Sequence, residues 1–160
     1  MMQTKTLLAA LAAATLALTA CGKNETAGAS TAAAPADQSV VKAREDLMTD
    51  WRRANQTLKG MIENPSTFDA ATFKENTDKI VNSTEQMWTY FEGEAAKGGE
   101  AADAIWTDAA GFKAETEKFT AAASALSAAA ATASSAADVE KLYGEMASSC
   151  GSCHKGFRND

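Results

Sequence analysis

From Ser39 to Arg158 the apolar residues recur three and four positions apart, and no run alternates apolar with polar at a spacing of two. That periodicity predicts helices and argues against a sheet. "SVVKAREDLMTDWRRANQTLKGMIEN" brings Val40, Leu47, Trp51, Leu58 and Ile62 near one helical face, and Asn64-Pro65-Ser66 breaks it. "TFDAATFKENTDKIVNSTEQMWTYFEG" reads as one second helix, with Phe73, Ile80, Met87, Trp88 and Phe91 available for burial. Gly93, Gly98 and Gly99 mark the next loop. "AADAIWTDAAGFKAETEKFTAAASALSAAAA" reads as a long third helix carrying Ile105, Trp106, Phe112, Phe119 and Leu126. After "TASSAAD", a fourth helix carries Val139, Leu142, Tyr143 and Met146 and runs to the C-terminal end. Four amphipathic segments with short connections predict an all-α fold, an antiparallel four-helix bundle over residues 39–160.

The residues before the bundle read differently. "MMQTKTLLAALAAATLALTAC" has an early positive charge at Lys5, an apolar stretch and then small residues, the pattern of a secretory signal peptide over residues 1–20. Leu18-Thr19-Ala20-Cys21 resembles the lipobox of bacterial lipoproteins, in which the cysteine takes lipid and becomes the first mature residue. Residues 21–38 are small, polar and without period, as expected of a flexible tether spanning roughly 20–25 Å. The expected location is the periplasmic face of a bacterial membrane. Gly22 after Cys21 is not the aspartate that often signals inner-membrane retention, which favours the outer membrane. The chain has 15 Lys+Arg against 21 Asp+Glu, and the mature form, without Lys5, is expected to carry a net charge of −7. An acidic balance argues against nucleic acid, whose phosphates need a basic face.

The chemistry concentrates in "SSCGSCHKGFRND", which holds the one histidine and two of the three cysteines. Cys150, Cys153 and His154 spell C-x-x-C-H, the attachment motif of haem c. On a helix, thiols three residues apart share a face and can reach two vinyl groups on one side of a porphyrin. His154 follows where its imidazole can ligate the iron on the proximal side. A thioredoxin-like reading needs a βαβ unit, which the pattern lacks. A closed zinc site needs four ligands, and the motif offers three. With Cys21 lipidated and two cysteines on haem, none is left for a disulfide. No second histidine exists, so the sixth iron position is left to Met, Lys or no protein ligand. No nucleophile–base pair stands out, so an enzyme is not expected.

A C-terminal C-x-x-C-H on the last helix of a four-helix bundle resembles the class II c-type cytochromes, the cytochrome c′ family. The resemblance covers about residues 38–160 and rests on "VVKAREDLM", "FDAATFKEN", "AIWTDAAGFK" and "SCGSCHKGFR". It implies one haem c and a distal residue in the first helix, four after an arginine that lies near the haem edge. Arg44 matches that arginine and Met48 the distal position, which places the chain with the low-spin Met/His subgroup. Arg44 is then expected to pair with a haem propionate. Arg158, four after His154, is expected near the proximal ligand or as a helix-end cation. The other methionines, Met61, Met87 and Met146, are expected in the core. A Met48/His154 pair makes an electron carrier the leading expectation, and the acidic surface is expected to favour redox partners with basic docking patches. The alternative is a nitric oxide binding or protection protein, and a metal- or thiol-bearing structural lipoprotein is a third reading. Family members often form homodimers through the first two helices, where Trp51, Met61 and Phe73 would serve either such a face or the core.

Overall fold

A computed structural model describes residues 36–159. The expected signal peptide, Cys21 and the tether as far as residue 35 lie outside the described residues. Helix α1 spans Gln38–Glu63, α2 Ala70–Val81, α3 Thr84–Thr89, α4 Ala104–Thr107, α5 Ala109–Ala130 and α6 Glu140–Phe157. Three short 3₁₀ turns punctuate the connections. Helix α5 packs against α6 and α2, and α2 packs against α1. Helices α1 and α6 meet only over a short stretch. The arrangement is a four-helix bundle with one seam held open.

The ends of the helices follow from local chemistry. Asp37 caps α1 by accepting from the Ser39 N–H at 2.9 Å, and Asp69 caps α2 by accepting from the Thr72 N–H at 2.7 Å. Each satisfies an N–H that has no partner within its helix. The Asp138 carboxylate accepts from the N–H groups of Ser134 and Ser135, both at 2.9 Å, and closes the turn that leads into α6.

Two expected helices are each broken in two. The second stops at Val81 and restarts at Thr84. The Ser83 hydroxyl bonds back to the Lys79 carbonyl at 2.7 Å, and the Thr84 hydroxyl to the Val81 carbonyl at 2.8 Å. Such side chains compete with the helical ladder. Ser83 also receives the Trp51 indole N–H at 2.8 Å, so a core residue of α1 fixes the break. The third is interrupted at Asp108, whose carboxylate accepts from the Gly111 N–H at 3.1 Å and starts α5 afresh.

One core runs through the bundle. Leu58, Phe73, Ile80, Met87, Leu126 and Met146 are all buried in it. A large apolar side chain taken fully from water contributes about 1.5–3 kcal/mol. Met61, Met87 and Met146 are core residues, as expected. Trp51 and Phe73 are core residues as well, so none of the three side chains considered for a dimer face is free to serve one. Trp51 stacks on Phe119 at 4.9 Å between ring centroids and meets Trp88 edge-on at 5.6 Å. At the start of α1 the burial falls on Val41 and Arg44, one position off the expected Val40 register.

Candidate cofactor site

The open seam between α1 and α6 is a cleft of about 670 Å³, within the roughly 300–1,000 Å³ common for cofactor sites. Its lining brings together Met48 from α1 and Cys150, Cys153 and His154 from α6. Residues 102 or more apart in sequence thus face one space. Ile80 and Met146 contribute apolar wall from the core side. Trp51, Trp88, Phe91, Phe112, Phe119 and Phe157 make the lining strongly aromatic. Glu45, Arg52, Glu100 and Arg158 supply its charges along with Arg44.

Helix α6 is docked so that its cysteines face this space. Ser149 is fully buried and bonds back to the Met146 carbonyl at 2.6 Å. Ser152, between the two cysteines, donates to Glu115 on α5. Cys150 and Cys153 are half-buried, unpaired thiols. Burial raises the Cys150 pKa. Burial, then the Glu115 carboxylate and Cys150, push Cys153 up to about 11. Before a haem is attached, both are therefore neutral thiols at neutral pH. His154 is exposed at the rim. Desolvation, and then the Arg158 charge, lower its pKa, with Glu100 opposing. That favours the neutral imidazole, the form that ligates a metal.

Met48 is half-buried and packs against the core, with its neighbours Trp51 and Asn55 on the same lining. Asn55 Oδ1 is buried there without a hydrogen-bond partner, a defect that native structures usually resolve with a bound group or water.

Arg44 is held by the chain's own backbone. It is 4% exposed, which excludes a solvated surface charge. Its Nη1 donates to the carbonyls of Tyr90 at 3.1 Å and Ala96 at 2.7 Å, and its Nη2 to Gly98 at 2.7 Å. The guanidinium also lies 4.9 Å from the Phe91 ring centroid. Three of its five N–H groups are thus committed to backbone, leaving Nε and one Nη2 proton for any propionate. Arg158 pairs with Glu100 through Nε at 3.2 Å. Arg52 and Glu100 were not anticipated at the cleft. Arg52 was open to inference, because it stands one helical turn beyond Met48. Glu100 was not, since it reaches the site from a loop.

Comparison with known proteins adds the family. The family model described as "Cytochrome C'" matches residues 39–158. The chain belongs to the cytochrome c′ family. A cytochrome c′ from Alcaligenes xylosoxydans xylosoxydans is 32% identical over 124 residues, 76% of this chain and 94% of that one. The crystal structure of cytochrome c′ from Rubrivivax gelatinosus superposes with a TM-score of 0.70 at 31% identity, over 75% of this chain and 94% of that one. A nitric oxide complex of a variant cytochrome c prime from Alcaligenes xylosoxidans superposes with a TM-score of 0.71 at 27% identity, over 78% and 98%.

Cytochromes c′ carry a covalent haem c with its iron. The residues present fit that group. Two thiols and an imidazole from one helix share an aromatic-lined cleft with a thioether on the facing wall. Among the described residues no three His, Cys, Asp or Glu side chains gather as they would around a bare metal ion.

Proposed function

We propose that this cytochrome c′ is an electron carrier and not an enzyme, with Met48 and His154 as the two axial residues. The observation that carries the reading is the presence of Met48 in the same cleft as Cys150, Cys153 and His154. Cys150 and Cys153 would hold the macrocycle through thioethers, His154 would supply its imidazole, and Met48 would supply its sulfur from α1. When bound, the haem supplies a one-electron redox centre whose potential a His/Met pair raises. With His154 and Met48 both holding the iron, no open site would remain for a substrate. The aromatic lining would shield the group from water. The net negative charge favours partners with basic docking patches, through steering that weakens with salt.

In this reading a lipid on Cys21 tethers the protein to the periplasmic face of a bacterial membrane, with the outer membrane preferred. No described helix is long and apolar enough to cross a membrane. The second reading is nitric oxide binding. It is favoured by the nitric oxide complex of the Alcaligenes xylosoxidans variant. Met48 has no covalent restraint on its sulfur beyond packing, so a gas ligand that outcompetes it would find room in the cleft. Carbon monoxide uptake by the ferrous protein separates the two. Slow, saturating uptake limited by loss of the Met48 sulfur supports the carrier. Fast second-order uptake supports the gas-binding reading.

A further inference from the structure

Arg44 is a buried cation held by the protein's own backbone. Its partners, Tyr90, Ala96 and Gly98, lie in the connection between α3 and α4. That segment is tied to α1 again by the Asp37 N–H, which donates to the Ala95 carbonyl at 2.8 Å. It also lies close against α1. Gly99 has φ +60°, and a Cβ there would sit 2.5 Å from Glu45 Oε1 and 2.9 Å from Val41 Cγ1. Only glycine fits both the conformation and the space.

The same segment continues directly into a second set of bonds, with the end of α6. Ala101 and Arg158 form an antiparallel bridge. The Ala102 N–H donates to the Phe157 carbonyl at 3.1 Å, and the Asn159 N–H donates to the Glu100 carbonyl at 2.8 Å. The Arg158–Glu100 ion pair lies beside them. Residues 90–102 are therefore a strap. One end is fastened to α1 one turn before Met48, and the other to α6 just after His154. These fastenings span a seam where α1 and α6 themselves barely touch.

We propose that Arg44 is a positioning residue: by anchoring this strap it sets the separation of α1 and α6 across the cleft, and so whether Met48 reaches the iron held by His154. The last step rests on the axial pair proposed above. Burying a guanidinium is unfavourable unless its hydrogen bonds are met. Here three carbonyls meet three of its five N–H groups, and these carbonyls belong to a segment that spans the seam.

The test uses the haem-loaded full chain with two variants. Arg44→Gln removes the anchor and the charge. Gly99→Ala pushes the strap from α1 and keeps every charge. Two measurements are made on each: amide hydrogen exchange at Ala102 and Asn159, and the near-infrared Met–iron band of the ferric protein. Loss of charge-assisted bonds at the anchor should raise exchange at these amides by about tenfold or more. Both variants should also weaken the band. Unchanged exchange in both variants overturns the strap. A band weakened by Arg44→Gln and untouched by Gly99→Ala also overturns it, because the arginine would then act as a charge at the haem edge. If Arg44→Gln does not accumulate, Gly99→Ala alone decides. A wild-type protein without the band defeats the Met48 reading instead, and the strap is then judged on exchange alone.

Discussion

The contact between Trp51 and Ser83 joins the core of α1 to the break between α2 and α3, and its energetics can be worked out in advance. Trp51 is 8% exposed and its Nε1–H has a single partner, Ser83 Oγ at 2.8 Å. Replacing Ser83 with Ala strands that N–H in a site that excludes water, a loss of about 1–3 kcal/mol. Replacing Trp51 with Phe leaves no stranded group, because the Ser83 hydroxyl still donates to the Lys79 carbonyl at 2.7 Å. That variant loses the bond, part of the stacking on Phe119 and some volume, together about 2–3 kcal/mol. In the Trp51→Phe background, Ser83→Ala should then have an effect below about 0.5 kcal/mol, since the donor it would strand is gone. The coupling in the double-mutant cycle is therefore about 0.5–3 kcal/mol. Urea unfolding of the haem-loaded proteins at constant m measures it. Equal losses from Ser83→Ala in both backgrounds would refute the argument that the hydroxyl is there for the indole.

Two further predictions concern other parts of the molecule. Asp78 on α2 accepts from Lys74 and from Ser127 on α5, the latter at 2.7 Å, and these bonds lower its pKa. A carboxyl with a depressed folded-state pKa adds stability above its unfolded value of about 3.9, and that stability is lost as pH falls through the folded value. Asp78→Asn should therefore destabilise by about 0.5–1 kcal/mol at pH 7, the modest size reflecting its partial exposure, and the gap from wild type should close below about pH 4 in acid unfolding curves. Cys21→Ser should move the protein from the membrane fraction to the soluble periplasm, read by fractionation. Recovery of wild type in the soluble fraction would count against the lipid.

The helical periodicity made the bundle legible before any coordinates, because burial on one face imposes the same spacing wherever a helix packs. The breaks at Ser83 and Asp108 were not legible. In sequence a lone Ser or Asp within a periodic run reads as a solvent-facing position. What converts each to a break is a hydrogen bond, and Ser83 is completed by an indole 32 residues away. The C-x-x-C-H motif was legible because its chemistry is local to one turn of helix. Arg44 was half legible. Its place one turn before Met48 put it near the cleft, while its partners are backbone carbonyls 46 to 54 residues on, which no side-chain pattern announces. Met48 stands with Met61, Met87 and Met146 in one helical periodicity. The resemblance distinguished it; in the structure it lines the cleft from α1, with Met146 on the same lining from α6.

The central claim is that the Met48 sulfur completes the axial pair with His154, and the near-infrared absorption of the ferric protein, recorded for wild type and Met48→Leu, tests it most directly. The account predicts a low-spin wild-type spectrum with a weak Met-to-iron charge-transfer band. That band should be absent from Met48→Leu, which keeps the apolar volume and loses the sulfur. A high-spin wild type, or a band that survives in Met48→Leu, would contradict it.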